Sequence, residues 1–215
     1  MTKNGYPISV LLGSTSPRRR QLIGTLGCSL RVTDPIADEP EPNFNESPSS
    51  YCERMAFLKF ESLKHFLSSS ECLVTADTVV SLNDQILGKP KTQLEAEIML
   101  KSLRNKTHKV STAVLVSALF KDKIQKTVKV TNVSMRNYSD LEIDDYINSG
   151  DYKDKAGAYS IQNKSFNLSR SFDGCYTSVV GLPLCDLSGM LIKEGFNLTT
   201  ISCNKGLDGP NKLWI

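Results

Sequence analysis

The stretch Leu11-Leu12-Gly13-Ser14-Thr15-Ser16-Pro17-Arg18-Arg19-Arg20 constrains this chain more than any other. The apolar run from Ile8 to Leu12 predicts a short buried strand. Gly13 breaks it, and small hydroxyl residues follow. Pro17 stands where a helix can start, because its missing N–H would have no partner in the first turn anyway. Either Ser14 or Ser16 can cap that helix. The free N–H groups and the positive end of the helix dipole then lie beside guanidinium groups, a combination suited to polyanionic phosphate. An ordinary first helix with a solvated basic face has the same sequence. The pattern is neither the phosphate loop G-x-x-x-x-G-K-[ST] nor G-x-G-x-x-G.

The rest of the chain interleaves strands and helices. The first helix is expected over about Pro17 to Leu26 with Gly27 as its cap, then a strand over Ser29 to Thr33. Asp34 to Ser50, rich in Pro, Glu, Asn and Ser, is an exposed loop carrying Asp38, Glu39 and Glu41. A helix opens at Ser49 to Glu53, with Met55, Leu58, Leu63 and Phe66 near helical spacing and Lys59 on or beside that face. Cys72 to Ala76 is a strand that continues into Asp77-Thr78-Val79-Val80-Ser81-Leu82. Asn83-Asp84 turns it back into Ile86 and Leu87. After the Gly88-Lys89-Pro90-Lys91 turn, Thr92 with Glu95 signs the start of a helix to about Leu103. Val110 to Phe120 and Thr127 to Met135 pair around Lys121-Asp122-Lys123. Short helices are expected at Glu142 to Asn148 and at Cys185 to Lys193, with a weakly structured tail from Asn204. This order argues an α/β or α+β domain, one unit over 1–215 or one domain of two lobes sharing a cleft.

Charge and cysteine usage exclude several classes. Lys and Arg number 26 against 23 acids, a net charge of +3, too balanced to argue nucleic-acid binding by bulk charge. The six cysteines form no C-x-x-C and lie at no zinc-ligand spacing from His65 or His108, so all are expected as reduced thiols. No apolar stretch nears the roughly 20 residues that span a membrane, and no signal peptide is evident. A cytoplasmic protein is expected, with the nucleus left open.

The chemistry must come from what remains. Asp77 sits where a buried strand meets polar residues, as a general base, a metal ligand for Mg²⁺ or Mn²⁺, or an ordinary turn former. Lys89 and Lys91 flank Pro90 and either neutralise phosphate or face solvent. Gln162 can read a base edge through its amide or lie on the surface. Asp154-Lys155 suggests a structural ion pair, and His108 a structural histidine. No G-x-S-x-G, H-E-x-x-H or Cys–His partnership supports covalent catalysis, which leaves metal-assisted attack of water on a phosphate chain.

Five ordered blocks together resemble the Maf family of nucleotide pyrophosphatases. They are Ser14-Thr15-Ser16-Pro17-Arg18-Arg19, Asp77-Thr78-Val79-Val80, Ile86-Leu87-Gly88-Lys89-Pro90, Asp154 to Gln162, and Val179-Val180-Gly181-Leu182-Pro183-Leu184. The resemblance reaches about Leu191, and the tail from about 196 lies outside it. It implies an elongated mixed-sheet α/β fold like that of the inosine triphosphatases, with two lobes around a central cleft, often dimeric. It implies hydrolysis of a nucleoside triphosphate to monophosphate and pyrophosphate, with a divalent cation such as Mg²⁺, Mn²⁺ or Co²⁺.

Matched by motif, Asp77 is the general base or metal-organising carboxylate. Glu39, in Ile36-Ala37-Asp38-Glu39, is the loop acid and a second metal ligand, and Lys59 and Lys89 complete the catalytic set. Ser14, Ser16, Arg18, Arg19, Thr78 and Gln162 line up as substrate contacts. Arg18, Thr78 and Gln162 resemble the branch acting on dTTP and UTP rather than on 7-methyl-GTP. Lys59-Phe60 stands where the family has Lys-Ala, and Lys91 adds an atypical charge. A non-catalytic nucleotide-binding regulator of cell division and a structural protein with the same fold are the readings from other classes.

Overall fold

The computed structural model describes residues 9–36, 38–118 and 123–202. The chain order is β1 (Ser9–Gly13), α1 (Pro17–Gly24), β2 (Ser29–Thr33), α2 (Pro48–Leu63), β3 (Glu71–Leu82), β4 (Gln85–Leu87) and α3 (Gln93–Leu103). It continues with β5 (Thr107–Ala118), β6 (Gln125–Met135), α4 (Asp140–Asn148), β7 (Ser169–Asp173), α5 (Tyr176–Val180) and α6 (Leu184–Lys193). Short 3-10 turns follow α2 and cover Ala156–Ala158. The strands form one seven-stranded mixed sheet in the order β2-β1-β3-β5-β6-β7, with β4 beside β3. β1 lies parallel to β2 and β3, and the remaining pairs are antiparallel. Ile8 and the proposed turn at 121–122 fall outside the described residues, as does the tail from 203.

The sheet is covered on both faces, so β1 and β3 read as apolar runs instead of alternating. Leu11, Leu73, Val79, Ala113 and Leu115 pack against Cys52, Ala56, Phe60 and Leu63 of α2. Val10, Leu12, Val74, Ala76, Val80 and Val114 face the larger cluster built with α1, α3, α4, α5 and α6. Gly13 is required where β1 passes under α2. A Cβ there would come 2.4 Å from Leu63 Cδ1 and 2.9 Å from Thr75 Cγ2.

Local signals hold at most element starts. Ser16, not Ser14, caps α1, accepting from Arg19 N at 3.4 Å. Thr92 caps α3, but Glu95 reaches back to the N–H of Lys91, not that of Thr92. Asn83 and Asp84 both take positive φ, which matches the right-handed twist of a two-residue hairpin. α1 stops at Gly24, with Thr25 as its cap, ahead of the expected Gly27. β7 and α5 carry no clear sequence signal, because Ser-Arg-Ser-Phe-Asp and five helical residues hold too little periodicity. Asp154 and Lys155 do not pair. Lys155 Nζ instead binds Asp151 Oδ1 at 3.0 Å, which leaves Asp154 at the cleft with φ 58°. Cys28, Cys52 and Cys175 are free thiols, whereas Cys185 is disulfide-bonded, against the expectation that all six are reduced.

His108 is structural, as expected. Its Nε2 lies 2.8 Å from the buried Tyr159 hydroxyl, and its Nδ1 has no hydrogen-bond partner among the described residues. Burial pushes the imidazole down from 6.5 to about 4. An unfolded chain therefore takes up this proton first as pH falls. The stability His108 contributes is full above about pH 6.5 and lost as pH falls towards 4, a change of about 3 kcal/mol. Denaturant melts of wild type and His108→Phe across that range should show a shallower pH dependence in the variant; equal slopes would refute this.

Candidate active site

The cleft is positioned by a break in the sheet. One edge of β3 pairs with β1 up to Thr75 and with β4 from Val80 onward. Residues 76–79 have no strand beside them on that edge among the described residues. Strand alternation turns Asp77 towards α2 and Thr78 towards the opposite face, and through the break both line one cleft of about 710 Å³. Ser14, Ser16, Arg18, Arg19, Glu39, Lys59, Lys89 and Gln162 line the same cleft. The ten residues nominated from sequence, drawn from six regions of the chain, therefore meet in one place.

Lys59 is the centre of the acidic corner. It projects from α2 and donates to Asp77 Oδ1 at 2.6 Å and to Glu39 Oε1 at 2.8 Å. The Lys59 and Asp77 side chains are 11% and 13% exposed, whereas Glu39 is 48% exposed. Burial pushes the Glu39 carboxyl up, but the Lys59 bond and the charges of Lys59, Lys89 and Arg19 outweigh it and hold it below the ordinary carboxylate value. The loop carrying Glu39 is braced by Arg54, whose fork takes both Glu46 oxygens at 2.8 and 2.7 Å and the Glu41 carbonyl at 3.1 Å.

Beneath Asp77 lies a residue the sequence reading missed. Cys52 of α2 approaches the carbonyls of Asp77 and Ser111 at 3.2 and 3.1 Å and accepts from Ala113 N at 3.2 Å. Burial, then the Asp77 charge, push this thiol up to about 12, so it remains protonated and able to donate. Nothing local in sequence marks it, because its partners come from two strands.

The opposite wall is the start of α1. The two arginines there have different surroundings. Arg18 lines the cleft, and no hydrogen bond or ion pair to it is found among the described residues. Arg19 is pinned: Nε donates to the Gly181 carbonyl at 2.8 Å, Nη2 to Thr78 Oγ1 at 3.0 Å and Nη1 to Ser14 Oγ at 3.5 Å. Burial lowers its pKa, opposed mainly by Asp77, and a guanidinium stays charged regardless. Gly181 caps α5 at φ 124°, a conformation that leaves glycine the natural occupant. Val179-Val180-Gly181, singled out only as a motif, thus belongs to the cleft wall.

Lys89 is exposed at the mouth, and its turn is tied to the far wall by Gly157 N donating to the Gly88 carbonyl at 3.1 Å. Gln162 is half-buried on that wall, beside Ser160 and Ile161. Lys155 also lines the cleft but is engaged with Asp151, so it serves as a strut. Lys91 is not part of the lining.

The arrangement defines a class: an α/β protein with a helix N-terminus and several cations facing a carboxylate–ammonium cluster across one cleft. The chain belongs to the family described as Maf-like protein, whose model matches residues 9–194. A dTTP/UTP pyrophosphatase of Dictyoglomus turgidum is 36% identical over 189 residues, covering 88% of this chain and 97% of that protein. Enzymes of the same name are 37% identical in Pelotomaculum thermopropionicum, over 88% of this chain and 98% of that protein, and 34% identical in Clostridium botulinum, over 88% and 99%. A solved structure of a HAM1 protein from Coxiella burnetii has a TM-score of 0.38 at 10% identity, covering 61% of this chain and 74% of that one, too distant to bear on function. Among the described residues no helix is long and apolar enough to cross a membrane.

Proposed function

We propose that this protein is a nucleoside triphosphate pyrophosphatase that converts dTTP and UTP, or modified pyrimidine analogues, to the monophosphate and pyrophosphate. One observation carries the reading: the Asp77–Lys59–Glu39 cluster faces Arg18, Arg19 and the α1 N-terminus across a single cleft. The names of the relatives, at 34–37% identity over most of the chain, supply the substrate class.

A triphosphate carries about four negative charges near neutral pH, more than one helix terminus can hold. The α1 N–H groups, Arg18, Arg19 and Lys89 share that load and orient the chain. Asp77 takes a proton from, or orients, the attacking water. The water oxygen bonds to the α-phosphorus, the bond from that phosphorus to the bridging oxygen breaks, and pyrophosphate leaves with the bond's electron pair. Lys59 keeps Asp77 aimed through its 2.6 Å contact, and Gln162 faces the base.

The donor set fits a divalent cation such as Mg²⁺, Mn²⁺ or Co²⁺. Asp77 and Glu39 already converge on one ammonium at 2.6 and 2.8 Å, and both offer hard oxygen ligands. No group of three or more metal-ligating side chains exists among the described residues, so phosphate oxygens would complete the shell. Such an ion polarises a phosphate and acidifies a bound water. A homodimer, as the family resemblance implies, and a cytoplasmic location belong to the same proposal.

The test is a panel of canonical and modified triphosphates with each metal, the products resolved by ion chromatography. Monophosphate with pyrophosphate, fastest for dTTP and UTP, is expected. Diphosphate with orthophosphate, or binding without turnover, would overturn the proposal.

A further inference from the structure

We propose that Thr112, fully buried on β5 and absent from the cleft wall, is a positioning residue that aims Arg19 at the substrate's phosphates. The inference rests on the pyrophosphatase reading for what Arg19 contacts, but the relay itself stands on the geometry.

Four groups form a directed chain. Thr112 Oγ1 donates to the Ser178 carbonyl at 2.8 Å. A threonine hydroxyl has one proton, so Thr112 can only accept from Thr78, whose Oγ1 lies 3.0 Å away. Thr78 therefore spends its own proton on Thr112 and accepts from Arg19 Nη2 at 3.0 Å. The order is Arg19 N–H to Thr78 O–H to Thr112 O–H to Ser178 C=O. The ring closes on the last turn of α5, where Gly181 N donates to the same Ser178 carbonyl at 3.0 Å and the Gly181 carbonyl receives Arg19 Nε at 2.8 Å.

Two consequences follow. Thr78 has no proton left for a substrate, so it can act on one only as an acceptor or through Arg19. Of the five guanidinium N–H groups, three are committed to Gly181, Thr78 and Ser14. The other two are held in a fixed plane on the cleft wall, which suits a bidentate hold on phosphate.

Thr112→Val keeps the side chain's shape and removes both of its hydrogen bonds, while Thr112→Ser keeps them. The probe is inorganic tripolyphosphate, titrated calorimetrically into the full chain without metal, alongside KM for dTTP. We expect Thr112→Val to weaken tripolyphosphate and raise KM by roughly tenfold. Thr112→Ser should stay near wild type, and Thr112→Val should add little in an Arg19→Lys background. A tenfold loss that persists with Arg19→Lys, equal losses in the Val and Ser variants, or no tripolyphosphate binding by wild type would each overturn the proposal. If wild type turns over dTTP while Thr112→Val matches it, the relay falls and the enzyme stands. If the relay behaves as expected but dTTP yields no pyrophosphate, the enzyme reading alone falls.

Discussion

Asp77→Asn should lower turnover of the preferred triphosphate by about a thousandfold, the size of loss expected when a general base is removed. The amide is close to the carboxylate in shape and can still accept from Lys59 through its oxygen, so the 2.6 Å contact has a substitute. Glu39 continues to neutralise Lys59. The melting temperature should therefore change little, with a stability cost of about 1 kcal/mol. Measuring kcat and thermal unfolding on the same preparation separates the effects. Wild-type-like hydrolysis would remove Asp77 from the mechanism, and a collapsed fold would make it structural.

Lys59→Met is the second large effect, with a different signature. The stem's bulk is kept and its charge is removed from between two carboxylates. Breaking a fully buried ion pair costs about 3–5 kcal/mol. Glu39 is nearly half exposed at an open cleft, so water softens the loss to about 2 kcal/mol. Turnover should fall by on the order of a hundredfold, because Asp77 loses the group that orients it. The pH profile carries the diagnosis. In the wild type Glu39 sits below the ordinary carboxylate value, so it adds stability above its unfolded value, lost as pH falls through the folded one. Without Lys59, burial pushes it up against only the charges of Lys89 and Arg19, and the acid limb of the rate profile moves to higher pH. An acid limb that stays in place would show that Lys59 does not set the charge state of the corner.

The sequence was most readable where one local signal determines one local structure. Pro17 after a serine, Thr92 before an apolar helix face and Asn83-Asp84 between two short apolar runs each act within a few residues. The ten nominated residues were found by motif, and the fold brings them to one cleft because β3 loses its neighbour between Thr75 and Val80. Their division of labour was not readable. Arg18 and Arg19 look alike in sequence, yet only Arg19 meets Gly181, Thr78 and Ser14, because Gly181 arrives from a helix at the far end of the chain. Thr112 and Cys52 were invisible for the same reason: a hydroxyl on β5 and a thiol on α2 matter only once β3 and β5 pair side by side. Adjacency misled in the other direction for Asp154 and Lys155. The lysine's partner is Asp151, one turn earlier, where a reverse turn brings its carboxylate under the ammonium.

The central claim is that water attacks the α-phosphorus of a nucleoside triphosphate in this cleft. It is tested most directly by turning over dTTP in ¹⁸O-labelled water with Mg²⁺ and reading the products by ³¹P NMR and mass spectrometry. The label should appear in the monophosphate, with unlabelled pyrophosphate released in equal amount. Label in pyrophosphate would place the attack at the β-phosphorus, and labelled orthophosphate beside a diphosphate would place it at the γ-phosphorus. Either result would contradict the mechanism built on Asp77, Lys59 and the start of α1.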